Sequence, residues 1–138
     1  MESEQVAWIF DASAITAYLQ DEEGAVVVDE LLTDPNTTCY AHSINLCEVY
    51  YDSVRHSSPK QADEIVSYLF ELGIVERSDF DTRFWKAVGQ LKAANKASLA
   101  DLCGIVLSAR LRGTFLTGDH HELDSFVAKQ ICSIRFIR

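Results

Sequence analysis

The chain has 138 residues, of which 48% are hydrophobic and 24% charged, and its formal net charge is −9 at pH 7. This length and composition fit one globular domain with its own core and exclude a disordered or low-complexity chain. No apolar run approaches the ~20 residues of a membrane helix, and the acidic amino terminus does not fit a signal peptide, so we expect a cytoplasmic protein.

Strand and helix signals alternate along the chain. Short apolar runs predict strands, and longer segments with apolar residues at helical spacing predict helices. The predicted order is strand 6–10, helix 12–20, helix 24–33, strand 38–41, helix 43–55, helix 60–72, strand 74–76, helix 80–96, helix 99–111, strand 114–117, helix 120–127 and strand 133–137. Strands that alternate with helices imply a parallel sheet with crossover connections, so the predicted fold class is α/β, in a single domain over residues 1–138.

Serine residues mark the start of three predicted helices. Ser13, Ser43 and Ser98 each stand where a side-chain hydroxyl can accept a hydrogen bond from a free amide of the first helical turn. Each helix is therefore expected to start at or just after its serine.

The four cysteines form no CxxC pair, and each lies in an apolar stretch. They are Cys39, Cys47, Cys103 and Cys132. We therefore expect buried, free thiols in a reducing compartment rather than disulfides or a zinc site.

Four carboxylates occupy positions that solubility alone does not explain. Asp11 and Asp119 each follow an apolar strand, at the end where open α/β sheets bind ligands. Glu48 and Asp101 each lie early in an otherwise apolar helical segment. Crowded carboxylates resist ionisation unless a cation joins them, and hard oxygen ligands suit Mg²⁺ or Mn²⁺. The pattern therefore points to metal-dependent chemistry on phosphate.

Three of these acids also have a purely structural interpretation. Asp11 alone fits a strand-to-helix turn. Asp101 fits a capping box with Ser98, in which the acid folds back onto the helix start. Glu48 fits an ion pair with Arg55, which lies seven residues further on and shares its predicted helix face. The structural and catalytic roles of Asp101 are compatible, because a helix start also projects its side chains toward the strand ends.

Basic residues are unevenly distributed along the chain. No Lys or Arg precedes Arg55, whereas eleven acids do. Residues 82–100 reverse this balance, with four basic residues and no acid. That stretch is either a solvated helix face or a basic rim that holds a phosphate backbone beside Asp101. Arg110 and Arg112 could also hold the backbone, although they fit the solvent face of a helix end, where cations favour the helix dipole.

Two histidines, His120 and His121, directly follow Asp119. Adjacent side chains point apart, so both rarely reach one metal ion. We therefore expect contact with substrate, or a plain surface position, rather than metal ligation by either.

Four short strings, in order along the chain, resemble the motifs of the PIN-domain ribonucleases. They are Phe10-Asp11-Ala-Ser13-Ala, Asn45-Leu-Cys-Glu48-Val, Ser98-Leu-Ala-Asp101 and Thr117-Gly-Asp119. Each string alone is a weak signal, whereas four in this order, spread over essentially the whole chain, are a strong one. Within that family the chain is most similar to the single-domain VapC-type toxins.

The resemblance implies a Rossmann-like α/β/α sandwich with a central, mainly parallel sheet, and a metal-dependent endoribonuclease that uses Mg²⁺ or Mn²⁺. The implied catalytic residues and metal ligands are Asp11, Glu48, Asp101 and Asp119. The implied supporting hydroxyls are those of Ser13, Ser98 and Thr117. The resemblance also implies RNA as substrate, a homodimer, and a cognate antitoxin whose tail enters the acidic pocket, as in a type II toxin–antitoxin pair.

Other functions stay open at this point. The chain could be a catalytically silent PIN-like binding module, although the presence of all four acids argues against that, or a housekeeping RNA-processing nuclease. Its acidic first third would also suit a basic partner peptide. An aspartyl phosphatase is disfavoured, because Ser13 stands two residues after Asp11, where that chemistry needs a second Asp.

Overall fold

The computed structural model describes residues 5–120, 123 and 131–138. Its strands, numbered along the chain, are β1 (Val6–Phe10), β2 (Thr37–His42), β3 (Val75–Arg77), β4 (Thr114–Thr117) and β5 (Ser133–Phe136). They form one sheet in the order β3-β2-β1-β4-β5, and every neighbouring pair is parallel. The predicted α/β class with a parallel sheet is confirmed.

The helices agree with the predicted ones to within one or two residues at most ends. They are α1 (Ala12–Leu19), α2 (Ala25–Thr33), α3 (Ser43–His56), α4 (Pro59–Glu71), α5 (Thr82–Ala94) and α6 (Leu99–Arg110). The helix predicted over 120–127 falls largely outside the described residues. No helix within the described ranges combines the length and apolar character that crossing a bilayer requires.

Adjacent strand residues point to opposite faces of the sheet, and this alternation builds two cores. Phe10 packs on one face with the buried residues of α1 to α4, whereas Ile9 packs on the other face with those of α5 and α6. Leu116 and Phe115 divide in the same way on β4. Because both faces of the central strands are covered, β1 is a continuous apolar run and β4 carries the buried pair Phe115 and Leu116 between two threonines.

Two of the three predicted serine caps are wrong. The cap of α1 is Asp11, whose carboxylate accepts from the amide three residues on, and the cap of α3 is His42, whose ring accepts from the amide two residues on. In both cases the last extended residue takes the capping role, so Ser13 and Ser43 lie inside the first helical turn. Ser98 caps α6 as predicted.

Helix α5 begins at Thr82, two residues later than predicted, because ion pairs hold the preceding segment extended. Arg110 Nη1 lies 3.0 Å from Asp79 Oδ2 and 2.6 Å from Asp81 Oδ1, and Arg77 Nε lies 2.8 Å from Asp79 Oδ1. The two guanidinium groups lower the pKa of Asp79 below its usual range. Arg110 therefore ties α6 to this segment while it stays exposed in the last turn of the helix, as expected.

The carboxyl end of α5 is also earlier than predicted, at Ala94. Asn95 is extended, and its side-chain amide donates to the carbonyl of Leu91 at 2.8 Å. Lys92 Nζ donates to the carbonyl of Ala97 at 2.9 Å. One of the four cations of the predicted basic stretch is thus engaged with the backbone.

All four cysteines are free, as predicted. Cys39 and Cys103 are buried and Cys132 is partly buried; burial raises the pKa of the Cys39 and Cys132 thiols to about 11. Cys47 is exposed, so the expectation of burial is wrong there. Its neighbours Leu46 and Val49 occupy the buried face of α3 and leave Cys47 on the outer face.

Candidate active site

Asp11 lies at the carboxyl end of the central strand β1 and is 3% exposed. Its Oδ1 accepts from the amide of Ala14 at 2.8 Å and from the hydroxyl of Ser13 at 2.7 Å. Its Oδ2 accepts from the hydroxyl of Thr117 at the end of β4. Hydrogen bonds from two directions therefore fix the carboxylate at the edge of the sheet.

The pKa of Asp11 is raised from its usual value of 3.8 to about 6. Burial is the largest cause, because it removes water from the charged form. The hydrogen bonds from Thr117, Ser13 and Ala14 oppose that effect, and the negative charge of Asp101 adds to it. Asp11 is thus a buried acid that forms no ion pair with any basic side chain in the described part of the chain.

Glu48 lies on α3 and is partly buried. The pKa of Glu48 is raised above its ordinary value. Burial is the largest cause, and repulsion from Asp101 and then from Asp11 contributes less. The predicted ion pair with Arg55 is wrong: among the described residues Glu48 has no basic partner, and the Arg55 guanidinium instead lies 5.2 Å from the centre of the Tyr51 ring.

Asp101 lies in the first turn of α6, where its backbone amide donates to the capping hydroxyl of Ser98 at 3.1 Å. The amide-to-hydroxyl half of the predicted capping box is therefore present. The mutual effects on pKa place Asp101 within electrostatic range of both Asp11 and Glu48.

Asn45 joins the two helices that carry Glu48 and Asp101. It is completely buried on α3, and its amide donates to the carbonyl of Ala100 on α6 at 3.4 Å. Its Oδ1 has no hydrogen-bond partner among the described residues. Asn45 has no role among the sequence-based predictions, although a buried amide in the mostly apolar stretch 44–51 is a signal that could have identified it.

Asp119 is tied to the same group of side chains through hydroxyls. Its amide donates to Thr117 Oγ1 at 3.0 Å, and the amide of Gly118 donates to Ser13 Oγ at 2.8 Å. Ser13 Oγ and Thr117 Oγ1 are 3.3 Å apart. Two hydroxyls thus connect the turn after β4 with Asp11 at the end of β1.

The four acids share one cleft of about 230 Å³ at the carboxyl edge of the sheet. Its described lining residues are Asp11, Ala12, Ser13, Glu48, Ser98, Asp101 and Asp119. None of these residues is basic. The cleft therefore contains four carboxylates and no cationic side chain among its described lining residues. All four predicted acids therefore line one cleft, together with Ser13 and Ser98. Thr117 is in contact with Asp11 through its hydroxyl.

The chemistry of this donor set fits a divalent ion. The donors are hard carboxylate oxygens, which Mg²⁺ and Mn²⁺ prefer, and no basic side chain is among the described residues that line the cleft. Each carboxylate oxygen has more than one acceptor position, so Asp11 can bind an ion while it keeps its three hydrogen bonds. As the side chains stand, however, no three His, Cys, Asp or Glu groups of the described residues are arranged to hold a metal.

His120 is an exposed residue that contacts the last strand and the last residue of the chain. Its ring stacks on Phe136, with centroids 3.8 Å apart, and its Nε2 lies 2.7 Å from the carbonyl oxygen of Arg138. This supports the expectation that it is not a metal ligand; His121 lies outside the described residues.

Replacing Thr117 with Val should raise the pKa of Asp11 above its value of about 6. The change removes a hydrogen bond to the charged form, and such bonds contribute about 1–3 kcal/mol. A metal-free titration of Asp11 by carbon-13 NMR measures this, with Thr114→Val on the same strand as a matched control. An unchanged or lowered pKa of Asp11 would contradict the role assigned to the Thr117 hydroxyl.

Comparison with known proteins bears on the same region. The PIN domain family model matches residues 8–126, whereas no curated protein sequence matches the chain. Among solved structures, VapBC-1 from nontypeable Haemophilus influenzae is similar at a TM-score of 0.73 and 14% identity, covering 96% of this chain and 98% of that chain.

Two further structures show the same fold. VapBC2 from Rickettsia felis, bound to a DNA fragment from its promoter, has a TM-score of 0.72 and 15% identity and covers 95% of this chain and 98% of that chain. A toxin–antitoxin complex from Klebsiella pneumoniae has a TM-score of 0.68 and 12% identity, with coverages of 94% and 97%. At these identities the likeness establishes the fold, and the family match spans most of the chain, including all four acids. The chain belongs to the PIN-domain family.

Proposed function

We propose that this protein is a metal-dependent endoribonuclease that hydrolyses phosphodiester bonds of RNA. One observation carries the proposal: four carboxylates from four separate places in the chain line a single cleft of a PIN-family fold. A fold has no stabilising use for such a concentration of negative charge, because burial and mutual repulsion raise the pKa of Asp11 and Glu48.

In this proposal Asp11, Glu48, Asp101 and Asp119 hold one or two Mg²⁺ or Mn²⁺ ions. When bound, a divalent ion of this kind activates a water and neutralises charge that builds on the scissile phosphate. The protein side chains provide position: the hydroxyls of Ser13 and Thr117 fix the Asp11 carboxylate, and Ser98 fixes the helix start that carries Asp101.

We further propose that the protein is the toxin of a type II pair and forms a homodimer that a cognate antitoxin silences. The structural neighbours described as VapBC or toxin–antitoxin complexes support this extension. A cleft lined by four acids would attract a basic segment of such a partner. Expression of the chain alone should slow growth, and co-expression of the neighbouring small reading frame should restore it; normal growth in both cases would favour a housekeeping nuclease.

Incubation of the purified protein with labelled single-stranded RNA tests the nuclease proposal. We expect cleavage with Mn²⁺ or Mg²⁺, and none once a chelator removes the ion or when neither ion is supplied. Cleavage that survives the chelator would contradict metal dependence. Binding of RNA without any cleavage, across both metals and several RNAs, would favour the catalytically silent module instead.

A further inference from the structure

A second groove adjoins the acidic cleft and differs from it in charge. The groove encloses about 300 Å³ and shares Ala12, Ser13 and Glu48 with the cleft. Beyond these shared residues it contains two arginines, Arg55 and Arg138, and an aromatic side chain. Its volume matches the lower end of ordinary small-ligand pockets, about 300–1,000 Å³.

The groove follows one face of α3. Glu48, Tyr51 and Arg55 are separated by three and four residues, so their side chains align along that face and lead away from the cleft. Tyr51 is 46% exposed, so its ring is accessible from solvent. The Arg55 guanidinium lies 5.2 Å from the centre of that ring.

The charged groups of the groove leave Arg55 available for a ligand. Besides Glu48, the groove contains two acids, and both contact other residues. Glu22 Oε1 lies 3.6 Å from Arg138 Nη1, and Asp52 Oδ1 lies 3.4 Å from Nδ1 of His56. Arg55 forms no ion pair with any residue that the structure describes. Arg55 is therefore an exposed cation beside an exposed aromatic ring, next to the acidic cleft, and its guanidinium is available to bind an anion.

The basic residues that the sequence suggested for the RNA backbone are less suitable. Arg110 is held by Asp79 and Asp81, and Lys92 donates to a backbone carbonyl. None of the residues from 82 to 97 lines either the cleft or the groove among the described residues.

Resting on the proposed nuclease function, we propose that this groove is a subsite for one nucleotide next to the scissile phosphodiester of single-stranded RNA. Arg55 holds the adjacent phosphate, and the base stacks on Tyr51. Stacking of this kind needs an unpaired base, so the subsite selects single strands over duplexes.

Steady-state cleavage kinetics of Tyr51→Ala and Arg55→Ala test this assignment. We expect each change to raise KM for single-stranded RNA by about 5–100-fold, the range for loss of one stacked base, while kcat stays within about threefold. Tyr51→Trp should keep the low KM, because Trp also stacks, and this rescue separates base contact from a structural role. Matched controls are Phe70→Ala, which removes a ring that is 42% exposed on α4, and Lys60→Ala, which removes an exposed cation on α4.

Binding of RNA measured by fluorescence anisotropy, with a chelator present, separates the subsite from the nuclease proposal. Arg55→Ala should reduce the salt dependence of binding by a slope of about 0.7, the value for one phosphate contact on a single strand. Weaker binding by both variants in a protein that never cleaves would support the subsite and contradict the nuclease. Cleavage with KM unchanged in both variants, or raised equally in the controls, would overturn the subsite and leave the nuclease standing.

Discussion

Asp101→Asn should reduce RNA cleavage by at least about 10²-fold and leave the fold intact. The change removes one proposed metal ligand. Even the loss of a residue that only hydrogen-bonds a metal ligand reduces metal affinity or activity by about 10–100-fold. The helix start should survive, because Ser98 bonds the backbone amide of residue 101 and not its side chain. Repulsion on Asp11 and Glu48 should also decrease, since both carry raised pKa values to which Asp101 contributes.

Single-turnover cleavage at saturating Mn²⁺ measures this effect, and thermal unfolding checks the fold. A matched control is Glu64→Gln, which neutralises an exposed acid on α4 that lines neither the cleft nor the groove. Near-normal cleavage by Asp101→Asn at saturating metal would remove Asp101 from the catalytic site.

Asp11→Asn should make the metal-free protein more stable at pH 7–8 while it abolishes cleavage. The pKa of Asp11 is raised to about 6 in the fold from its usual 3.8, so the folded state holds its proton more tightly than the unfolded state does. Ionisation of Asp11 therefore costs stability above pH 6, by about 3 kcal/mol. Asn has no charge to bury and is a good helix cap, so it should recover about 2–3 kcal/mol of this cost.

The sign of the pH dependence makes this prediction specific. The cost of the wild-type carboxylate disappears as the pH falls through 6 toward 3.8, so the advantage of Asn should shrink over that range and vanish near pH 4. Urea unfolding from pH 4 to pH 8 without metal measures it. Equal free energies of unfolding for the wild type and Asp11→Asn at pH 8 would contradict a buried, uncompensated charge on Asp11. A stability gain of the variant that grows on acidification would contradict it as well.

Asp79→Asn should have the opposite effect on stability when its urea unfolding is measured from pH 4 to pH 8. Arg77 and Arg110 lower the pKa of Asp79, so its carboxylate stabilises the fold above its ordinary pKa, and this contribution is lost on acidification. The Asn variant should therefore be less stable at pH 7, with a difference that narrows toward acidic pH.

Local signals in the sequence predicted the strands and the acids well. A parallel strand covered on both faces is rich in apolar and β-branched residues, which is why 6–10 and 114–117 give clear strand signals. The acids that follow these strands lie at the carboxyl edge of the sheet by topology. Ser98 was recognised as a cap because it directly precedes a periodic segment.

Features that depend on distant partners could not be predicted in this way. Arg110 meets Asp79 and Asp81 across about thirty residues of sequence, and those pairs delay the start of α5. Arg55 shares a helix face with both Glu48 and Tyr51, and its guanidinium packs on the Tyr51 ring. Helical spacing alone does not indicate which of the two neighbours it contacts. The hydrogen-bond partner of Asn45, the carbonyl of Ala100, lies 55 residues further along the chain, so the sequence indicates an important amide but not its partner.

Anomalous diffraction from crystals grown with Mn²⁺ tests most directly whether the four acids share a divalent ion. We expect a manganese peak in the cleft at oxygen-ligand distances of about 2.0–2.6 Å from at least two of the four carboxylates. We also expect that peak to be lost or weakened in Asp101→Asn. No peak in the cleft at saturating manganese, or one bound only elsewhere on the surface, would contradict the shared metal site.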